Sequence, residues 1–304
     1  MDEHYLQATS SRSATYVINN VAPVFAYNSV VLQGGNDIEL NIKPNTTYVY
    51  ASSTDISDNN SCVDIVSATS SIYLAATSTW NNYDCTADND DCYQISSTGC
   101  SIISGTCTGP SDLDVTIGCT TTLQFYAAPS DPSAGNSNAD SFWLGAIKAW
   151  DEALWGVGTS AANVVEVITT EAIDVQEDLV DYLSIKGGQD SGNINATTTI
   201  ENFGNCPLDT SFLGYDMLRT GGGDYVGSDQ QEYDLITFTY GAGTWTLSST
   251  TPATRDTVLP KPNSGAIDVE DEVYWGLGIP GGTLSGIYTG STTFTAILDD
   301  APAW

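Results

Sequence analysis

A chain of 304 residues with 38 acidic and only 7 basic side chains carries a formal net charge of −31, which excludes nucleic acid and anionic membrane as main partners. Its 41% hydrophobic and 10% aromatic content excludes a disordered chain and supplies apolar material for about two cores. The single histidine, His4, stands in a polar N-terminal stretch, so Ser-His-Asp or Cys-His nucleophile chemistry has no placed base and the chain reads as a non-enzyme.

Residues 1–14 read as a tail. The start MDEHYLQATSSRSATY has no apolar signal-peptide core, and no run of about 18 apolar residues follows to cross a membrane, so a mature fragment is expected. Next, Tyr16, Val17 and Ile18 give the stretch from Ser10 to Val24 a strand-like composition ahead of Asn20-Val21-Ala22-Pro23. An unpaired strand is an association hazard, and these three residues are expected to serve as a connecting or donated assembly strand between subunits or modules. The alternative is a short linker strand.

Short alternating runs then dominate, separated by Gly, Asn, Asp, Pro and Ser clusters: Thr47 to Ala51, Ser71 to Ala75, Thr120 to Ala127, Val164 to Ile168, Ile194 to Ile200, Asp234 to Tyr240 and Gly286 to Ile297. This pattern predicts an all-β fold of two consecutive Ig-like β-sandwich domains, 15–158 and 163–304, divided near Gly156 to Ala162 where the Cys-rich composition ends. One segment fits two periods. Trp143, Ile147, Trp150 and Leu154 fall on one helical face, whereas Trp143, Gly145, Ile147 and Ala149 line one strand face, and the flanking β pattern favours the strand.

Cys62, Cys85, Cys92, Cys100, Cys107 and Cys119 cluster, and Cys206 stands apart. The window has no C-x-x-C and no His, which argues against zinc and for three disulfides in an oxidising, extracellular or cell-surface setting. The repeated spacing suggests Cys85–Cys92 and Cys100–Cys107 loops with Cys62–Cys119 as the long bridge, although six cysteines allow many connectivities. Cys206 is expected to stay free or to pair between chains. Sequons at Asn45, Asn59 and Asn195 are compatible with surface glycosylation.

The densest acidic group, Asp84, Asp88, Asn89, Asp90 and Asp91, flanks and fills the Cys85–Cys92 loop. Carboxylates on a pinned loop suit Ca²⁺, the one cofactor considered, though the run lacks an EF-hand pattern and a solvated acidic loop is the plainer alternative. A second group, Asp268, Glu270, Asp271 and Glu272, reads as a charged turn that discourages edge-to-edge pairing. No two of the 38 acids are singled out as a glycosidase pair. Trp80, Tyr83, Tyr93, Trp245, Tyr274 and Trp275 lie near turns or strand ends, where rings stack on sugars or pack in cores. The glycines at 221–223 and 281–282 lack a phosphate-loop context and read as turns.

Three stretches, NVAPVFAYNSVVLQGGNDIEL (Asn20 to Leu40), TDISDNNSCVDI (Thr54 to Ile65) and FWLGAIKAWDEA (Phe142 to Ala153), together resemble Ig-like or PKD-like modules of large secreted prokaryotic surface proteins. Trp143, Ile147 and Asp151 match the late strand of those modules; Trp150 and Glu152-Ala153 depart from it. GGQDSGNINATTTIENFGNCPLD (Gly187 to Asp209) and VYWGLGIPGGTLSGIYTGSTTFTAI (Val273 to Ile297) resemble a second sandwich type found in such proteins and in camelysin-like fibre subunits, with Cys206 as a departure. These resemblances imply an adhesive or structural part, such as a stalk, envelope component or filament subunit, whose partners are other copies of itself or neighbouring surface modules. The alternative function is a carbohydrate-binding accessory module with glycans as partners.

Overall fold

The computed structural model describes residues 15–75, 83–132, 138–161 and 163–299. Among them every regular element longer than a 3₁₀ turn is a strand, and every pair of named strands is antiparallel. In the first half the strands are β1 (Val24–Phe25), β2 (Val30–Leu32), β3 (Thr47–Ser57), β4 (Ser67–Ala75), β5 (Cys92–Ile95), β6 (Cys100–Ile102), β7 (Asp114–Leu123), β8 (Phe142–Trp150) and β9 (Trp155–Thr159). One sheet runs β1-β3-β7-β6 with β2 also on β3, and the other runs β5-β4-β8-β9.

Alternation explains how these sheets meet. Val115, Ile117 and Cys119 of β7 point to the same side as Val49 and Ala51 of β3, and they close on Ile72 of β4 and on Trp143, Ile147 and Ala149 of β8 in one buried cluster. The Trp143 segment is therefore the strand that period two favours, held by β4 on one edge and β9 on the other. Gly145 lets the sheets approach, because a Cβ there would sit 3.1 Å from Ala51 Cβ.

The second half contains β10 (Ile173–Val175), β11 (Ala196–Asn202), β12 (Leu208–Gly214), β13 (Met217–Arg219), β14 (Tyr225–Val226), β15 (Gln231–Asp234), β16 (Trp245–Thr246), β17 (Ala253–Leu259), β18 (Glu270–Leu277), β19 (Tyr288–Thr289) and β20 (Thr292–Leu298). A sheet β10-β11-β18-β15-β16 faces a sheet β17-β12-β20 across a second core of Ile200, Leu208, Phe212, Tyr233, Leu259, Val273 and Trp275. A small sheet β14-β13-β19 lies beside them.

Several expected strands are shorter or absent. Val164 to Ile168 forms only single bridges, Val165 to Trp143 and Val167 to Ile38, because Asp37, Ser130 and Asp131 side chains take the N–H groups of Glu166, Val167 and Thr169. Val165 and Val167 belong to the first core, so the change of core falls between Val167 and Ile173. Thr120 to Ala127 stops at Leu123, opposite the first residue of β3. Asp234 to Tyr240 ends at Asp234, whose carboxylate accepts from Leu235 and Thr244 N–H and so bends the chain out of the ladder. Gly286 to Ile297 is split at Gly290, where a Cβ would meet Tyr215 O at 3.1 Å.

The segment from Asn202 to Cys206 joins the halves. Buried Asn205 accepts from Thr170 N–H at 2.6 Å and donates to the Ala127 and Ile168 carbonyls. Gly204 is required beside it, since a Cβ would lie 2.0 Å from Thr170 O. Two of the scarce cations complete the junction. Lys43 bonds both Glu201 and Asp268, and Lys261 bonds Asp90 at 2.6 Å.

Candidate interaction groove and predicted sites

The second sandwich is open on one side. β20 pairs only with β12, and β10 only with β11, so each leaves an unpaired strand edge, and a cleft opens between them. The inward residues of β20, Thr292, Phe294, Ala296 and Leu298, are only half-buried, whereas β12 beside it is buried along almost its whole length. Phe294 reaches the core edge-on, 5.3 Å from the Phe212 ring and 6.0 Å from Trp275.

An irregular strap, residues 177–185, crosses the gap without a backbone–backbone hydrogen bond to any described residue. It is anchored by side chains instead: Glu177 accepts from Thr199 N–H and Oγ1–H, and the Tyr182 hydroxyl donates to Gln231 Oε1 at 3.0 Å. Burial pushes the Tyr182 hydroxyl pKa up, so it stays a neutral donor. Strap, β20 and β19 enclose a cleft of about 790 Å³ with Val180, Met217, Ile279, Ile287 and Phe294 on its walls and Glu177, Asp178 and Asp181 along the strap. Leu179, Leu183 and Ile287 leave an apolar rim in solvent.

The Asp84–Asp91 loop turns its carboxylates to its own backbone, to Lys261 and to each other. Asp88 Oδ1 accepts the backbone N–H groups of Asp90, Asp91 and Cys92 at 2.9, 3.0 and 3.1 Å, Asp90 pairs with Lys261, and Asn89 adopts a left-handed φ of 65°. Among the described residues no three of His, Cys, Asp and Glu come together to hold a metal ion. The Asp88 and Asp91 side chains share a hydrogen bond. Burial, then the hydrogen bond and charge of Asp88, raise the Asp91 pKa to about 6.

A raised folded-state value means that Asp91 stabilises the fold fully below about pH 4 and loses that contribution as pH rises through about 6. Asp91→Asn mimics the protonated form. The variant is expected to exceed the parent by about 1 kcal/mol at pH 8, solvent screening having reduced the full linkage value, and to match it at pH 4. Thermal melts at the two pH values check this, and equal stabilities at pH 8 would refute it.

The cysteines form three disulfides: Cys85–Cys92 as the spacing suggests, but Cys62–Cys107 and Cys100–Cys119 in place of the Cys62–Cys119 and Cys100–Cys107 pairing. The cause is register. β6 lies on β7 with Cys100 directly opposite Cys119, Cα atoms 4.0 Å apart, which leaves Cys107 for Cys62. Cys206 is free and fully buried, donating to Thr170 O, and burial raises its thiol pKa to about 12. Pairing between chains would require unfolding. A maleimide reagent is expected to label no thiol in the native protein and one per chain in denaturant; rapid native labelling would contradict this.

Other expected sites separate by exposure. Asn45 and Asn59 are exposed, but the Asn195 amide accepts from Phe238 N–H and donates to Trp275 O, so a glycan there would disturb the contacts that hold the irregular 235–240 segment near β18. The expected stacking rings are mostly structural. Tyr93 and Trp275 are buried, Trp245 lies half-buried under Arg255, Tyr83 covers the outer face of the β4–β8 pair, Tyr274 bonds Glu272, and Trp80 lies outside the described residues. Asp268 binds Lys43, and Glu270 to Glu272 lie within β18, a central strand rather than an edge turn. Tyr16, Val17 and Ile18 form no strand and are 80%, 83% and 71% exposed. The groove has no clear signal in sequence, because the strap reads Leu179-Val180-Asp181-Tyr182-Leu183, a mixed run that follows neither a strand nor a helix period.

No family model matches the chain, and no curated protein matches it in sequence. Among solved structures it is similar to one described as "Chaperone-tip adhesin complex is vital for synergistic activation of CFA/I fimbriae biogenesis", at 9% identity and a TM-score of 0.28, covering 90% of this chain and 86% of that one. It is also similar to one described as "BspA_C_WT", at 10% identity and a TM-score of 0.23, covering 86% of this chain and 90% of that one.

Proposed function

We propose that the chain is a non-enzymatic structural subunit of an extracellular or cell-surface assembly, built of two sandwich modules. Its N-terminal segment adds as a strand to the open β20 edge of a second copy. The observation that carries this reading is the half-open second core: an unpaired strand edge beside a partly apolar cleft with Phe294 incompletely covered. Strand addition satisfies such an edge through backbone hydrogen bonds, and alternate side chains enter the cleft.

The occupant is argued from the other end of the chain. Tyr16, Val17 and Ile18 project into solvent with no strand partner on their own copy. His4 through Asn36 is the longest run without an acid in this acidic sequence and includes Arg12, while the strap beside the cleft carries Glu177, Asp178 and Asp181. Opposite charge steers this segment to that groove in preference to the rest of the surface. The three disulfides accord with an oxidising, extracytoplasmic setting, and among the described residues no helix is long and apolar enough to cross a membrane.

Deleting residues 1–18 leaves the Asn19 and Val21 contacts in place and removes the donor. The truncated protein is expected to sediment as a monomer at concentrations where the parent associates, and to bind a synthetic peptide of residues 10–22. Association identical to that of the parent would refute the donated strand.

A further inference from the structure

The β5-β4-β8-β9 sheet turns one face to the first core and the other outward, and the outward face carries its own chemistry. Register sets it out in rows. Ser71 of β4 stands opposite both Gln94 of β5 and Ala146 of β8, Thr69 stands opposite Lys148 in the next row, and Trp150 and Trp155 form the cross-strand pair beyond. Period two places all of these side chains on the face away from Ile72 and Ile147, which lie in the core.

A pinned segment turns part of this face into a pocket. Residues 83–85 are tied down three times: the Ser71 hydroxyl donates to Tyr83 O at 2.9 Å, Gln94 Nε2 donates to Cys85 O at 2.8 Å, and Cys85 is bridged to Cys92 at the start of β5. Between this segment and β8 lies a cavity of about 180 Å³. Buried Ser71 and Ala146 line it, together with Asp84 and Gln94 on the β5 side and Lys148 and Trp150 on the β8 side. None of its lining residues belongs to the cleft of the second sandwich.

Opposite charges line this pocket without meeting. Lys148 Nζ lies 4.2 Å from the Trp155 ring centroid and 5.0 Å from that of Trp150, a seat that fixes the ammonium but accepts none of its N–H groups in the plane of a lone pair. Among the described residues neither Lys148 nor Asp84 has a hydrogen-bond or ion-pair partner, although most of the few cations in this acidic chain are used within the fold. Gln94 uses only Nε2, which leaves Oε1 as an acceptor.

We propose that this pocket binds one neutral hexose unit of a glycan. An anion would gain from Lys148 but must approach a chain of net charge −31 and pass Asp84, and a cation would meet Lys148 already seated on the aromatic pair. A neutral polyol meets neither obstacle. Neighbouring hydroxyls accept from the Lys148 ammonium and donate to the Asp84 carboxylate and Gln94 Oε1, while the C–H face of the ring lies against Trp150. The volume admits a single ring, so a free monosaccharide is expected to bind with Kd on the order of 1 mM. This site goes beyond the assembly role and does not depend on it.

Saturation-transfer NMR on the full chain tests the site, with the methyl glycosides of glucose, galactose, mannose and N-acetylglucosamine as neutral probes and methyl glucuronide as the charged comparison. At least one neutral probe is expected to bind saturably and more tightly than the glucuronide. Asp84→Ala and Lys148→Met are each expected to weaken that binding at least about tenfold, the effect of losing one charged hydrogen-bond partner. Tyr48→Ala, on the exposed face of the other sheet, is expected to leave it unchanged, as is deletion of residues 1–18. Asp84 is exposed and bonded to no described residue, so if Lys148→Met fails to fold, Asp84→Ala alone decides. Saturable binding by none of the neutral probes, tighter binding of the glucuronide, or parent-like binding in Asp84→Ala would overturn the proposal.

Discussion

Trp275→Ala is expected to destabilise the second sandwich by about 3–5 kcal/mol, the cost of removing a large buried ring and leaving a cavity that its neighbours cannot fill. Trp275 sits on β18, between β11 and β15, with no exposed surface. Its ring lies 5.3 Å from Tyr233 and 6.0 Å from both Phe212 and Phe294, so one truncation loosens both sheets. The indole N–H also donates to the buried Thr198 hydroxyl at 2.9 Å, and that group loses its partner. All three disulfides lie in the first half, so none offsets the loss. Denaturant unfolding followed by tryptophan fluorescence and by circular dichroism checks the effect. A loss below about 1 kcal/mol would mean that the core repacks around the gap.

Lys43→Met is expected to cost about 3 kcal/mol, the scale of stranding a buried carboxylate by removing its only cationic partner. Lys43 and Glu201 are both largely buried at the junction, while Asp268 is more than half exposed and tolerates the loss through solvation. Burial opposes the Lys43 charge, and bonds to Asp268 and Glu201 outweigh it and raise its pKa. Its contribution is therefore complete below about pH 10 and fades as pH rises through the folded value. Adding Glu201→Gln to Lys43→Met is expected to restore most of the stability at pH 7, because the uncompensated charge goes with it. A double variant no more stable than Lys43→Met would show that packing of the lysine stem, rather than charge, holds the junction.

Which parts of this structure were legible in sequence follows from the range of the forces involved. The strand at Trp143 was legible only through its neighbours, since FWLGAIKAW is buried on both faces and fits a helical as well as a strand period, and the flanking β pattern decides between them. The bridges of Cys100 and Cys107 are not local, because they follow from which residue of β7 stands opposite Cys100, a register decided by the long ladder of β7 with β3. Asp234 to Tyr240 alternates like a strand, yet Phe238 and Tyr240 lie over Gly276 of β18 and Gly278 just beyond it, whose missing side chains make room for them. That space is invisible until the two segments meet.

The uneven placement of the disulfides has a mechanical consequence. When the chain is pulled at its ends, the second half contains no covalent shortcut and can extend through its full contour. In the first half, force crosses from Cys62 to Cys107 and then from Cys100 to Cys119. That route withholds roughly 50 residues, about 170 Å of extended chain, from the load. Rupture of the first module therefore yields a much shorter step in a force–extension trace than rupture of the second, and reduction of the disulfides lengthens only that step.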